Sequence, residues 1–453
     1  MRSIKTRIRL IGGTFARGVH PADSKQLSGQ ARIEILPTPP QLLLPVIQHL
    51  GSPAEPVVKP KEQVSQGQLV AKPASFVSAG VHSPVSGIAG MLTVTTLPNG
   101  RHMKAVPVAA EGDQPLAGQA LWDDVYGGDW PTGNLQQYAP GRIVQSVRDA
   151  GIVGMGGAAF PTHVKLARNE KRPIQTLLIN GCECEPYLTA DYWLMLQGPC
   201  AIVSGALLAQ RACGAERVII AIEDNKPSAI DSMRTAARGT GIDIAVVRTK
   251  YPQGGERQLT IAVLGKEVPT GGLPLDVGAV VLNVATSAAV ARAVIRGKPL
   301  THRIITISGA GIKNPKNLLV PIGASYSDLI AYAGGLTDDA VRVISGGPMM
   351  GFAISDLGTP ITKGTSGITV LTEQDVRQAG ETPCVRCGRC VDVCPLGLVP
   401  TKMALAARHK DWELARRYQL QACCECGCCG YICPARIPLV QLIRMGKVQM
   451  TRE

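Results

Sequence analysis

Apolar and polar positions along this chain fall into four successive patterns. Up to about residue 130 the apolar residues come in short runs, cut by glycines and by Pro37, Pro39, Pro40, Pro53, Pro56 and Pro60. Proline fixes φ and lacks a backbone donor, so long helices are excluded there. Residues 64–71 and 81–88 read as short strands around glycine turns. Residues 127–134, Gly-Gly-Asp-Trp-Pro-Thr-Gly-Asn, read as a linker. The pattern then alternates. Residues 141–150 have helical apolar spacing that stops at Gly151. Residues 174–180, 218–223 and 242–248 are short apolar runs suited to buried strands, with a helical stretch at 230–237. Strand and helix in alternation predict a doubly wound α/β sheet. Cys200 and Cys213 fall at apolar positions of another helix and read as core.

From Pro299 the pattern changes again. Residues 303–309 and 317–323 predict strands, 327–335 a short helix with a glycine stop, and 341–347 a further strand. The turn 346–351 reads as a tight connection, and the Thr/Gly-rich residues 360–374 as a lead into the last region. There, 401–409 and 411–418 predict two helices, and 437–448 an amphipathic one whose apolar face suits core packing. The expected units are therefore 1–130, β-rich; 136–298, α/β; 299–358, a small mixed unit; and 370–453, α-helical.

At 453 residues the chain is too long for one core, and about three or four domains are expected. Its net charge of +13 would permit nucleic-acid binding, but Lys and Arg are scattered and no stacking aromatics stand beside them. A basic face for an acidic redox partner or an anionic surface fits better, and no nucleic-acid partner is expected. No apolar run reaches the ~20 residues needed to span a bilayer. The basic residues 1–10 lack the apolar stretch of a signal sequence, so a reducing compartment is expected.

The chemistry concentrates in two cysteine runs. Residues 384–395 and 423–434 each read C-x2-C-x2-C-x3-C-P. That is the ligand pattern of two [4Fe–4S] clusters in which the fourth cysteine of each run serves the other cluster. Cys384, Cys387, Cys390 and Cys433 are thus expected on one cluster, and Cys423, Cys426, Cys429 and Cys394 on the other. Disulfides need an oxidising compartment, and zinc sites pair their ligands differently. Cys424 and Cys428 lie inside the second run but off the pattern.

Four polar junctions interrupt the α/β region: 151–165, 180–186, 251–259 and 280–287. Polar groups at the carboxyl ends of parallel strands are where such sheets bind ligands. The first is glycine-rich, so its backbone can approach an anion, with Lys165 beside it. Together the junctions resemble the flavin- and NADH-binding subunit of respiratory complex I. The resemblance implies that Gly154, Gly156, Gly157 and Lys165 lie near the phosphate and ribityl chain of FMN. It places Phe160 where the family stacks the nicotinamide dinucleotide, and Asn180, Glu183 and Glu185 on the isoalloxazine and nicotinamide side. Glu256, Asn283 and Thr286 match further motif positions. The chain departs from that pattern at Met155, Cys182, Gly255 and Leu282, where the family has Arg, Asp, Glu and Asn. Cys182 and Cys184 form a C-x-C pair; a metal reading exists, against small residues lining a pocket.

The first region resembles the barrel-sandwich hybrid of biotinyl and lipoyl carriers. No lysine stands between Phe76 and Ile88, so a scaffold without a swinging arm is expected. The region after 299 resembles the β-grasp unit called SLBB. In this order the modules resemble the RnfC/RsxC family of the Rnf-type ion-translocating ferredoxin:NAD oxidoreductase complexes. The resemblance implies hydride exchange between NAD(H) and FMN, relay through two [4Fe–4S] clusters, and another iron–sulfur subunit as neighbour. It further implies ferredoxin or flavodoxin at the level of the complex, and a peripheral place on the cytoplasmic face of a bacterial inner membrane without a transmembrane span. A cobalamin reductase shares the modules, but its flavin loop sits near the N-terminus. A relay or docking subunit with a degenerate flavin site is the other alternative.

Overall fold

The computed structural model describes residues 13–168, 172–376 and 380–451; the basic residues 1–10 lie outside these. The first region folds as strands β1 (Ile33–Ile35), β2 (Gln41–Pro45), β3 (Glu55–Pro56), β4 (Gln63–Val64), β5 (Leu69–Lys72), β6 (Val81–His82), β7 (Gly87–Ala89), β8 (Thr93–Thr96) and β9 (His102–Ala110). One sheet runs β2-β9-β7-β4 with β8 also on β9, and a second runs β3-β5-β6. The segment before β2 stands outside both sheets. Val19 pairs with Tyr251, and β1 joins a distant strand in parallel. The N-terminal stretch is a strap across later regions rather than part of the barrel.

Next come α1 (Gly118–Val125), α2 (Pro140–Asp149), α3 (Thr162–Leu166), β10 (Thr176–Asn180), α4 (Ala190–Gln197), α5 (Pro199–Cys213), β11 (Arg217–Glu223), α6 (Pro227–Ala236), β12 (Asp243–Val247), α7 (Glu256–Leu264), β13 (Ala279–Asn283) and α8 (Val284–Ile295). The four strands are parallel in the order β12-β11-β10-β13. Successive residues of β10 point to opposite faces: Leu177 and Ile179 join the core of α5 and α8, and Leu178 the core of α7. The linker at 127–134 is packed down, with Trp130 buried, its indole N–H donating to the Tyr126 carbonyl (2.9 Å), and the Arg296 guanidinium stacked on its ring. Cys213 is buried as expected, but Cys200 is exposed. It belongs to the first turn of α5, and apolar spacing alone does not say which turn of a helix emerges.

The third unit contains β14 (His302–Ser308), β15 (Lys316–Pro321), α9 (Tyr326–Tyr332), β16 (Ala340–Ser345), β17 (Phe352–Ile354) and β18 (Gly367–Thr372). Its sheet runs β1-β15-β14-β18-β16-β17, so β18 is central. The sheet therefore extends beyond residue 358, into the stretch read as a lead. Ile368 and Val370 alternate with threonines there, a period-two signal that the glycines before it broke up.

The last region packs α10 (Arg389–Asp392), α11 (Pro400–Arg408), α12 (Trp412–Arg417), α13 (Cys428–Ile432) and α14 (Leu439–Met450) around its own core of Met403, Ala407, Leu420, Leu439 and Ile443. The apolar face of α14 is spent in that core. No single described helix is long and apolar enough to cross a membrane; the apolar pair α4 and α5 is bent by 95°.

The tightest helix contact in the α/β domain is α5 against α8. A Cβ at Gly205 would stand 1.7 Å from the Ser287 carbonyl oxygen, a backbone atom that cannot swing away. Gly141, in the first turn of α2, has open space around it. Gly205→Ala is therefore expected to destabilise the domain by about 3 kcal/mol or more through overpacking, and Gly141→Ala to leave it unchanged or up to about 0.5 kcal/mol more stable. Denaturant melts of the two variants check this.

Candidate functional site

The glycine loop leaves α2 and turns back on itself, with Gly154 N–H donating to the Phe160 carbonyl (2.9 Å). Its inner side is fixed to α8, because Met155 N–H donates to Thr286 Oγ1 (2.9 Å). Its outer side, Gly156 to Ala158, is exposed, and those three N–H groups make no hydrogen bond among the described residues. Phe160 closes the loop half-buried. Lys165, on α3, donates to Glu256 Oε1 (2.5 Å) and to the Val281 carbonyl (3.2 Å).

Asn283 ends β13 and caps α8, its Oδ1 accepting from Ala285 N–H (2.8 Å) and Thr286 N–H (3.4 Å). This satisfies donors that a helix start leaves open. Its Nδ2 donates to Asp191 Oδ2 (2.6 Å). Glu183 in turn accepts from the N–H groups of Asp191 (2.8 Å) and Tyr192 (3.1 Å), capping α4. At the end of β10, Asn180 donates to the Gly254 carbonyl (2.8 Å). Gly154, Gly156, Gly157, Asn180, Glu183, Asn283 and Thr286 therefore lie at the carboxyl ends of β10 and β13, the crevice side of such a sheet, and Asp191, which sequence reasoning missed, links Asn283 to Glu183. Burial and the Glu183 charge push the Asp191 carboxyl up to about 7.

Glu185 goes elsewhere. Its carboxylate accepts from Met349 N–H (3.2 Å) and Met350 N–H (2.8 Å), in the turn between β16 and β17. Burial pushes it up to about 7, against the pull of those two hydrogen bonds. Tyr251, also missed from sequence, stands near Glu185 and donates its hydroxyl to the Cys426 carbonyl (2.7 Å). Lys25 on the strap donates to the carbonyls of Glu185 (2.9 Å) and Leu188. Cys182 and Cys184 diverge. The first thiol reaches the Ala221 carbonyl (3.8 Å), and the second accepts from Gly254 N–H (3.3 Å). Burial pushes Cys184 up to about 12 and Cys182 up as well. Neither is a ready thiolate, which removes the metal reading of the pair.

In the last region Cys390 has Cys433 and Cys387 as charge neighbours, while Cys423 has Cys394 and Cys429 has both Cys423 and Cys394. The last cysteine of each run thus stands beside the other run. Cys394, Cys423, Cys426 and Cys429 line one small pocket, with Cys424 and Cys428 also on its wall. Cys384 and Cys387 are exposed. Burial pushes Cys423 up to about 11 and Cys429 to about 12, since few cations stand by to hold thiolates. Iron would supply that charge, so buried thiols lining one cavity fit a cluster. No three such side chains meet at a single-ion site among the described residues; the ligands of a cubane stand at its separate corners. FMN is tested by the glycine loop. Three free N–H groups suit a phosphate, and a Cβ on Gly156 would fill the space against Asn283 Nδ2 (2.9 Å).

Fold and site define a modular flavin-type α/β protein with a dicluster cysteine domain. The chain matches the Nuo51 FMN-binding domain over residues 147–292, the RnfC barrel sandwich hybrid domain over 13–113 and the SLBB domain over 304–353. It is 44% identical to the C subunit of the proton-translocating ferredoxin:NAD(+) oxidoreductase complex of Clostridium ljungdahlii, over 96% of this chain and 93% of that one. It is 39% identical to the Na(+)-translocating counterpart of Acetobacterium woodii, over 88% and 89%. An NAD+-reducing [NiFe]-hydrogenase structure aligns with TM-score 0.48 and 22% identity, over 70% of this chain and 61% of that one. The chain belongs to the RnfC family, the C subunits of ion-translocating ferredoxin:NAD oxidoreductase complexes.

Glu185 has a pH consequence. Its folded value of about 7 lies above the ordinary 4.5, so the fold binds its proton more tightly than the unfolded chain does. Its contribution is full below about 4.5 and is lost as pH rises through about 7, up to about 3 kcal/mol. Glu185→Gln should match the parent near pH 5 and exceed it in melting temperature at pH 8. A residual slope from Asp191 should remain in both. Thermal melts across that range check the sign.

Proposed function

We propose that this chain carries electrons between NAD(H) and the iron–sulfur centres of an ion-translocating complex, with FMN in the second domain and two [4Fe–4S] clusters in the last. FMN accepts both electrons of a hydride, and each cluster takes one. Gly154, Gly156, Gly157 and Lys165 hold the flavin phosphate, Lys165 exchanging Glu256 for it. Asn180, Asn283 and Thr286 shape the crevice floor, and Phe160 with Glu183 faces the dinucleotide. Glu185 holds a proton at the inner wall, next to Tyr251. Cys384, Cys387, Cys390 and Cys433 carry one cluster, and Cys423, Cys426, Cys429 and Cys394 the other. The units are a scaffold barrel, a flavin domain from about 136 to 298, a β-grasp unit and a cluster domain from about 370.

The observation that carries this reading is the Tyr251 hydroxyl on the Cys426 carbonyl at 2.7 Å. It supports a short path between the flavin domain and the second cysteine run, because Tyr251, Cys426 and Cys428 pack in one small core there. Ion translocation belongs to the assembled complex, and relatives carry different ions in their names. The partners are the other proteins of that complex, among them another iron–sulfur protein, with ferredoxin or flavodoxin at the level of the complex. The chain's place is peripheral, on the cytoplasmic face of the membrane.

A second reading rests on the Lys165–Glu256 pair and the Asn283–Asp191 bond, which give two of the side chains expected at the flavin partners within the chain. In that reading the clusters only relay. NADH titration of the anaerobic protein supplied with FMN separates the two. Bleaching of flavin absorbance followed by reduced-cluster EPR signals is expected; intact clusters with unreduced flavin would establish the relay. Cys390→Ala should lose cluster signal and transfer to one-electron acceptors, while NADH still bleaches the flavin. Loss of flavin reduction in a folded Cys390→Ala protein would break the modular scheme.

A further inference from the structure

The two cysteine runs share one backbone design. Arg386 and Glu425 hold the same left-handed conformation (φ 56° and 57°), Gly388 and Gly427 follow at 78° and 86°, and each run then enters a short helix. Equivalent positions therefore present equivalent faces. In the second run that face is used inside the molecule. A Cβ on Gly427 would stand 2.4 Å from the Met349 carbonyl oxygen. Cys428 is buried with its thiol towards the Tyr251 carbonyl, and Glu425 is held by Arg444 (3.0 Å) and Lys447 (2.8 Å).

In the first run the same three positions are Gly388, Arg389 and Arg386, and all are exposed. Space around Gly388 is open. Val385 beside them is 65% exposed. Thr382 N–H donates to the Ala435 carbonyl (3.0 Å), which brings exposed Arg436 alongside. None of the three arginines makes an ion pair among the described residues. Exposed apolar surface with unpaired guanidinium groups has the make-up of a protein interface, where rim charge selects the partner. A lipid surface calls for a broad apolar and basic face; this one is a small knob that also carries exposed Asp392.

We propose that the face formed by the first cysteine run and Arg436 is the docking surface for an acidic electron-transfer domain of a second chain. That the partner is an electron carrier rests on the proposed function; the charge and position of the face do not. The outer cluster run would thus do between chains what its twin does within this one.

The test is isothermal titration of the full, cluster-loaded chain with a strongly acidic two-cluster ferredoxin. Affinity should fall at least about tenfold from low to high ionic strength. At low salt the Arg386→Glu, Arg389→Glu double variant should bind at least about tenfold more weakly, while Arg342→Glu on β16 changes nothing. EPR of the dithionite-reduced double variant verifies its clusters. Should that signal be lost, Arg436→Glu, outside both runs, decides by the same loss of affinity. Binding indifferent to these substitutions would overturn the proposal. So would capture by phosphatidylglycerol vesicles, abolished by the same substitutions, with no binding of ferredoxin. NADH that leaves the flavin unreduced while the ferredoxin still binds would sink the functional reading and leave the surface standing.

Discussion

The redox halves of the molecule are held to one another by a buried tyrosine. Tyr251 is 2% exposed, and its hydroxyl donates to the carbonyl of Cys426 in the second cysteine run. Its backbone exchanges two hydrogen bonds with Val19 (2.9 Å each), while Gly18 N–H reaches the Val393 carbonyl (3.0 Å) in the first run. Leaving such a group buried and unpaired costs about 1–3 kcal/mol. Each of these loop groups is satisfied by a different region, so none can withdraw alone. Strap, flavin domain and cluster domain are thereby kept in one register, the register that electron passage between them requires.

The same economy governs buried charge. Glu223 and Lys226 pair at 2.9 Å with almost no exposure, where an unpaired partner would be costly. Lys363 has no carboxylate. It is fully buried and donates to the carbonyls of Gly80 and Gly151 (2.6 Å each), tying the barrel to the first residue of the glycine loop. Burial lowers its ammonium to about 7. Glu185 and Asp191 are raised to about the same value. In all three the cause is the same: burial disfavours the charged form, whichever sign it carries. A lysine of the third unit thus holds the barrel and the start of the glycine loop together.

What the sequence disclosed was local. The cysteine spacing, the short apolar runs of β10, β11 and β12, and the glycine stop after α2 each depend on neighbours a few residues away, and each could be read. What stayed hidden was long-range. Lys363 lies more than 200 residues from both of its acceptors, and Tyr251 meets Cys426 across 175 residues. Strand β1 contributes to a sheet otherwise built after residue 300. No periodicity records such pairings. Glu185 illustrates the difference: its motif neighbours face the crevice, but a turn from the third unit claims its carboxylate. Central β18 was missed for a different reason, since glycine and threonine before it carry the signature of a loop.

The two cysteine runs show how chemistry orients a domain whose backbone does not. With near-identical conformations, either run could in principle lie against Tyr251 and the Met349 turn. The side chains decide. Cys424, Gly427 and Cys428 are small or weakly polar and lose little on leaving water. Val385, Gly388 and Arg389 in that place would bury a guanidinium against a carbonyl-lined apolar wall, where an unpaired charge costs several kcal/mol. Glu425 adds to the preference, since its ion pairs with Arg444 and Lys447 clamp the inner run to α14. Arg444 also donates to the Met350 carbonyl (2.8 Å), extending the clamp to the turn that holds Glu185. Desolvation and ion pairing therefore fix the domain with one run inward and one outward. The asymmetry between an inner relay and an outer face follows from which residues occupy the two equivalent loops.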